Sequence, residues 1–72
     1  MPKLYSAREV VARFKQLGFT IVSQKGSHIK LRGIRDGKLQ TAIVPNHKEV
    51  ALGTLSSILK QANVTKRELD EV

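Results

Sequence analysis

Two histidines, His28 and His47, are the only imidazoles in this 72-residue sequence, and no cysteine accompanies them. His28 has the richer surroundings. It follows Lys25-Gly26-Ser27 and precedes Lys30 and Arg32 at alternate positions. An imidazole can give or take a proton near neutral pH. Cations beside it can hold a phosphate and stabilise the charge that develops on it in a transition state. That pairing suits cleavage of RNA by the RNA's own 2′-hydroxyl. One imidazole removes the 2′ proton or protonates the leaving 5′ oxygen, and no metal is required. DNA lacks the 2′-OH and would resist this route. The candidate set is therefore His28 for proton transfer, with Lys25, Gly26, Ser27, Lys30 and Arg32 against the RNA. Ser27 fits a hydrogen bond within its own turn equally well. A solvated strand face would carry the same residues, so spacing alone leaves both readings open.

Other chemistries find little support. A zinc site built on two histidines without cysteine would need a carboxylate partner from a short supply of acids. No Walker-type loop, dinucleotide fingerprint or glycine-flanked nucleophilic serine is present. No metal and no cofactor is expected. Asp36, in an Asp-Gly pair, reads as a turn residue.

Charge favours a polyanionic partner. Thirteen Lys and Arg against six Asp and Glu give a net +7. The excess is segregated: residues 1–48 hold ten basic and two acidic residues, residues 49–72 three basic and four acidic, a balance of +8 against −1. Such a field draws polyanions and speeds encounter with them. Solubility alone would not require segregation by sign. Met1 to Arg8 carries no apolar run of the signal-peptide kind. No uninterrupted apolar stretch is longer than that of Ala42 to Val44, three residues, far short of the roughly 20 that span a bilayer. The chain reads as a soluble, cytoplasmic protein, with no membrane partner.

A small core must position these residues. Ser6-Ala7-Arg8-Glu9 fits a capping box, and Ala7, Val10, Val11, Phe14 and Leu17 form an apolar stripe at helical spacing. Gly18 stands where a left-handed residue would end that helix. Phe19 to Ser23 reads as a strand, and Gln24 to Ser27 as a turn. From His28 the pattern alternates, placing Ile29 and Leu31 on one face and His28, Lys30 and Arg32 on the other. Gly33 weakens the end of this strand, and Asp36-Gly37 signals a hairpin. Lys38 to Val44 supplies a third strand, stopped by Pro45. Asn46 to Leu52 reads as a structured loop. Leu55, Ile58, Leu59 and Ala62 mark a second helix ended by Asn63. A second capping box, Thr65 to Glu68, opens a short terminal helix with Leu69 and Val72 inward.

The expected fold is α+β, one domain over residues 1–72. Its order is αβββα: a three-stranded antiparallel sheet with helices on one face, plus a short C-terminal helix. This is the order of double-stranded-RNA-binding domains, and it leaves the other sheet face open.

Here the residues also resemble a family. Gly26-Ser27-His28 after Phe19-Thr20-Ile21-Val22 looks like the signature of the HicA family, the mRNA-cleaving toxins of toxin–antitoxin pairs. A second stretch is similar to the same family: Val44-Pro45-Asn46-His47, then Gly53-Thr54-Leu55, then Ile58-Leu59-Lys60-Gln61-Ala62. Ser6 to Phe19, with its Leu17-Gly18-Phe19 helix end, is also typical. The resemblance implies a double-stranded-RNA-binding-like fold and a metal-independent endoribonuclease whose single catalytic histidine maps onto His28. It also implies a cognate HicB-type antitoxin that covers the site, and an inactive complex that reaches DNA only through the antitoxin, at its own promoter. One departure is Leu31, where family members often carry an aromatic residue. His47 matches the second motif. It reads as ordering the loop before the long helix, with a direct RNA contact as the other possibility.

Two further classes remain at this stage. One is a non-catalytic RNA-binding module, explained by charge and fold order alone. The scarcity of aromatics counts against its being a single-strand binder, since Phe14 and Phe19 are needed in the core. The other is an interaction protein whose basic face meets only an acidic protein partner.

Overall fold

The computed structural model describes residues 4–72; the first three residues of the expected domain lie outside the described residues. The elements run α1 (Ala7–Gln16), β1 (Thr20–Lys25), β2 (His28–Arg35), β3 (Lys38–Pro45), α2 (Leu52–Ala62) and α3 (Lys66–Glu71). The strands form one antiparallel sheet in the order β1-β2-β3. This is the αβββα arrangement of double-stranded-RNA-binding domains with a short helix added.

Local chemistry explains the boundaries. Ser6 accepts a hydrogen bond from the Glu9 N–H, and Glu9 accepts one from the Ser6 N–H, each at 3.1 Å. Together they satisfy two of the donors a helix start leaves orphaned. At the other end Gly18 takes φ +97°. The Phe19 N–H then donates to the Phe14 carbonyl and the Gly18 N–H to the Lys15 carbonyl, a closure that brings the two flanking apolar residues together. Those residues are Phe14 and Phe19, whose rings meet edge-to-face at 5.0 Å. Asn63 closes α2 in the same way at φ 56°, with the Val64 N–H on the Leu59 carbonyl. Thr65 and Glu68 complete the second capping box, as the spacing predicts.

One core joins the layers. Val10, Phe14, Phe19, Leu31, Ala42, Val44, Val50, Leu55 and Leu69 are all essentially inaccessible to solvent. Burial alternates along β2, with Ile29, Leu31 and Gly33 facing the helices. α3 is tied down by polar contacts as well. Arg13 on α1 donates to the carbonyls of Leu69, Asp70 and Val72, Arg35 pairs with Glu68, and Tyr5 hydrogen-bonds Asp70.

Five expectations need correction. β1 begins at Thr20 and ends at Lys25, because Phe19 is consumed in closing α1 and the turn needs only Gly26 and Ser27. β2 does not weaken at Gly33 but continues to Arg35, and β3 continues through Pro45. α2 starts at Leu52 behind Ala51, which offers no side-chain cap, so Gly53 lies within its first turn. Val72 is 39% exposed rather than inward, since it follows the end of α3 and contributes its carbonyl to Arg13.

Candidate active site

Two tight turns set the frame. Lys25 and His28 are opposed across the β1–β2 ladder, with Gly26 and Ser27 between them. Gly26 has φ +55°, and a positive φ at the first central position alone is the mark of a type II′ hairpin turn. At the far end of β2, Asp36 and Gly37 both have positive φ, 52° and 76°. That is a type I′ turn, whose twist matches the flanking strands. Asp36 also accepts a hydrogen bond from the Asn63 side chain at 3.2 Å, which makes its part structural.

Residues directly opposed in a ladder share a face. His28 opposes Pro45, Lys30 opposes Ile43, Arg32 opposes Thr41 and Ile34 opposes Leu39. The face turned away from the core therefore carries His28, Lys30, Arg32 and Ile34 on β2, as the alternation predicts for the first three. Beside them on β1 lie Lys25, opposite His28, and Ser23, opposite Lys30. His28 is exposed, whereas Lys30 and Arg32 are half-buried.

The candidates are not equally placed. Lys25, Gly26 and Ser27 are brought against His28 by the turn itself. Lys30 follows two positions along the same face. Arg32 is four positions away, about 13 Å along a strand, and its Nε is buried without a partner. The Ser27 carbonyl accepts from the Asn46 N–H at 2.6 Å. This bond carries the β2–β3 pairing one step beyond the strands and fixes where the next loop leaves the sheet.

That loop belongs to the site. The His47 N–H donates to the Pro45 carbonyl at 2.9 Å, and the His47 carbonyl accepts from the Ala7 N–H at the start of α1 at 3.0 Å. The Val50 N–H donates to the Tyr5 carbonyl at 2.7 Å. His47 thus orders the loop, and it does so with its main chain; its side chain is exposed. A cleft of about 480 Å³ is lined by His28, Ile43, Pro45, His47, Thr54, Ser57, Ile58 and Gln61. Both imidazoles border it, one from the sheet and one from the loop, with α2 as the opposite wall. Sequence reasoning placed His28 on the open face but did not bring His47 to the same cleft. The missing information was the loop path, which depends on backbone bonds to Tyr5, Ala7 and Ser27 that no periodicity encodes.

Positive charge continues around the loop. Arg8 and Lys48 border a neighbouring depression together with Ser6, Asn46 and His47. No carboxylate lines either hollow. Among the described residues, no group of three or more His, Cys, Asp or Glu side chains could hold a metal ion. No helix of the described residues is long and apolar enough to cross a membrane.

Fold and site together define a small basic α+β domain of the double-stranded-RNA-binding type, with a histidine-bearing cleft at the mouth of its β1–β2 hairpin. Residues 7–64 match the family described as "HicA toxin of bacterial toxin-antitoxin". The match covers most of the 72-residue chain, and the chain belongs to the HicA toxin family. A comparison with curated proteins gives no significant match.

Proposed function

We propose that this toxin-family protein, a single HicA-like domain, is a metal-independent endoribonuclease that cleaves mRNA in the cytoplasm, with His28 as a catalytic residue. The observation that carries the reading is an exposed imidazole at the head of β2, flanked by Lys25 and Lys30 and bordering a cleft without carboxylates. A scissile phosphate held there meets a proton donor or acceptor and uncompensated positive charge together. Positioned acid–base groups contribute about 10²–10⁴-fold to a rate, and preorganised cations add to that by stabilising the pentavalent phosphorane's charge. Lys25, Lys30 and Arg32 contact phosphate. Gly26 and Ser27 let the backbone of the turn approach the RNA, Gly26 because it bears no side chain.

The toxin's counterpart in this reading is a HicB-type antitoxin. It covers the cleft, and the DNA contact of the complex belongs to the antitoxin. Finding a gene for such a protein beside this one would support the pairing, and its absence would count against it.

The test is His28→Ala. The purified wild type cleaves single-stranded mRNA in the presence of chelator, and the variant loses cleavage and growth arrest while retaining its fold and its hold on the antitoxin. Undiminished cleavage by His28→Ala refutes the assignment. A wild type that shifts RNA in a gel and leaves it intact shows a binding module instead.

A further inference from the structure

Resting on the nuclease reading, we infer that His47 is a second proton-transfer residue. It would share with His28 the two proton movements that a 2′-hydroxyl cleavage requires.

The placement is built by the backbone. Pro45 is the cross-strand partner of His28, and opposed residues of a ladder stand about 5 Å apart at Cα. His47 is two residues beyond Pro45, held back by the bond from its own N–H to the Pro45 carbonyl. Two residues span at most about 7 Å, so the two histidine Cα atoms lie within about 12 Å of each other. Both residues line the same cleft of about 480 Å³, and both are exposed. That volume is in the range of small-ligand sites, and the walls between them offer the Thr54 and Ser57 hydroxyls and the Gln61 amide. Among the described residues, neither imidazole has a hydrogen-bond partner. Ordering the loop uses only the amide and carbonyl of His47, which any residue except proline would supply in full. The imidazole is therefore surplus to the fold.

The chemistry needs a second group. As the 2′-O attacks phosphorus, its proton must pass to a base; as the P–O5′ bond breaks, the 5′ oxygen must receive one. Attacking and leaving oxygens are in line on opposite sides of phosphorus, so one imidazole cannot serve both well. Two imidazoles flanking the phosphate can. The neutral one takes the 2′ proton, the imidazolium gives its proton to the 5′ oxygen, and the products are a 2′,3′-cyclic phosphate and a 5′-hydroxyl. The pair ends with its protons exchanged. The charged groups around this pair are Lys25 from β1, Lys30 from β2, Arg8 from α1 and Lys48 beside His47 in the loop; Glu49 follows Lys48 but lines neither hollow. β3 and α2 turn only Ile43, Pro45, Thr54, Ser57, Ile58 and Gln61 toward it.

The test uses the whole chain and pH profiles of kcat/KM on a short RNA, for wild type, His47→Gln and His28→Ala. The wild-type profile should be bell-shaped. His47→Gln should lose about 10²–10⁴-fold in rate and one limb of the bell, with RNA affinity and melting temperature unchanged. A second substrate, a nucleoside 3′-(p-nitrophenyl phosphate), needs no proton on its leaving group. The variant lacking the general acid should regain most of its rate on that substrate, and the variant lacking the base should not. The inference is overturned if His47→Gln cleaves within a few-fold of wild type, or is slow with both limbs intact and both substrates equally affected. Those outcomes leave His28 standing. Absence of cleavage by the wild type instead removes the nuclease reading itself.

Discussion

Gly33 offers a sharp test of how this sheet is packed. It lies on the buried face of β2, and a Cβ built on it would stand 2.8 Å from Cγ of Phe19 and 3.0 Å from both ring Cδ atoms. The aromatic ring therefore lies flat on the glycine. Its φ is not in the left-handed region, so alanine meets no backbone strain there, and the whole penalty is steric. Overpacking of a dense core costs about 1–3 kcal/mol. Alanine recovers about 0.5–1 kcal/mol over glycine in a strand interior. A 2.8 Å approach to a fully buried ring puts the overpacking in the upper half of its range, so Gly33→Ala should destabilise by about 1–2 kcal/mol net. For a domain of this size each kcal/mol lowers Tm by about 4–8 °C, giving a fall of about 4–16 °C by calorimetry or circular dichroism. Phe19 is fully buried against Phe14, so the ring has little room to withdraw. Replacing Phe19 by Leu removes the flat surface, and Gly33→Ala made in that background should cost under about 0.5 kcal/mol. A Gly33→Ala protein as stable as wild type would refute the reasoning. So would an equal cost in the two backgrounds.

Two further predictions concern the hairpin beside His28 and the acid limit of the fold. Gly26→Ala places a side chain at φ +55° with nothing within 4 Å to clash. The cost is then purely conformational, about 1–2 kcal/mol by urea unfolding, and Gly26→Asn should cost less because Asn tolerates this conformation. Acid should release α3 early. Hydrogen bonding to Arg35 holds the Glu68 carboxyl below its ordinary value of 4.5, and hydrogen bonding to Tyr5 and then to Lys66 holds Asp70 below 3.8. A carboxyl depressed in the folded state stabilises it above its unfolded pKa, and that stability is lost as pH falls through the folded value. Stability should thus be level above about pH 5 and decline below the ordinary values of 4.5 and 3.8. Glu68→Gln should flatten the decline; an unchanged acid profile in that variant would contradict the assignment.

The elements were legible because their signals are local. Capping boxes at Ser6 and Thr65, Gly18 and Asn63 at the helix ends, and Asp36-Gly37 in the hairpin each act within a few residues. What the residues did not disclose was tertiary. Gly33 reads as weakening the end of its strand until the Phe19 ring is seen on it. Phe19 reads as a strand residue until its amide is found closing α1. His28 was legible as an exposed strand residue among cations through the period-2 alternation of β2 alone. The shared cleft was not, because His47 reaches it through a loop anchored to Tyr5, Ala7 and Ser27. These contacts join parts of the chain up to some 45 residues apart, counting from Tyr5 to Val50, and no repeat or spacing announces them.

The distribution of acids explains how a fold this small keeps a strongly positive working surface. Glu9 caps α1, Asp36 accepts from Asn63, Glu68 caps α3 and meets Arg35, Asp70 binds Tyr5 and Lys66, and Glu71 pairs with Arg67. Glu49 alone among the described acids has no such bond within the protein. Three of these five engaged carboxylates sit on α3, which meets Arg35 at the end of β2 away from His28, and they neutralise Arg35, Lys66 and Arg67 there. The exposed pairs contribute little to stability, but they consume negative charge far from His28. Among the described residues, Lys25, Lys30, Arg32, Arg8 and Lys48 have no carboxylate partner. An uncompensated cation beside a cleft is costly only in self-repulsion and is relieved by a polyanion. Concentrating half of the six acids on the terminal helix thus lets one short chain meet two demands, a pinned core on one side and an unquenched field on the other. A salt bridge engineered across the cleft, for instance by Thr54→Glu, would spend that field locally, and in the nuclease reading it should weaken RNA binding and cleavage together while leaving Tm nearly unchanged.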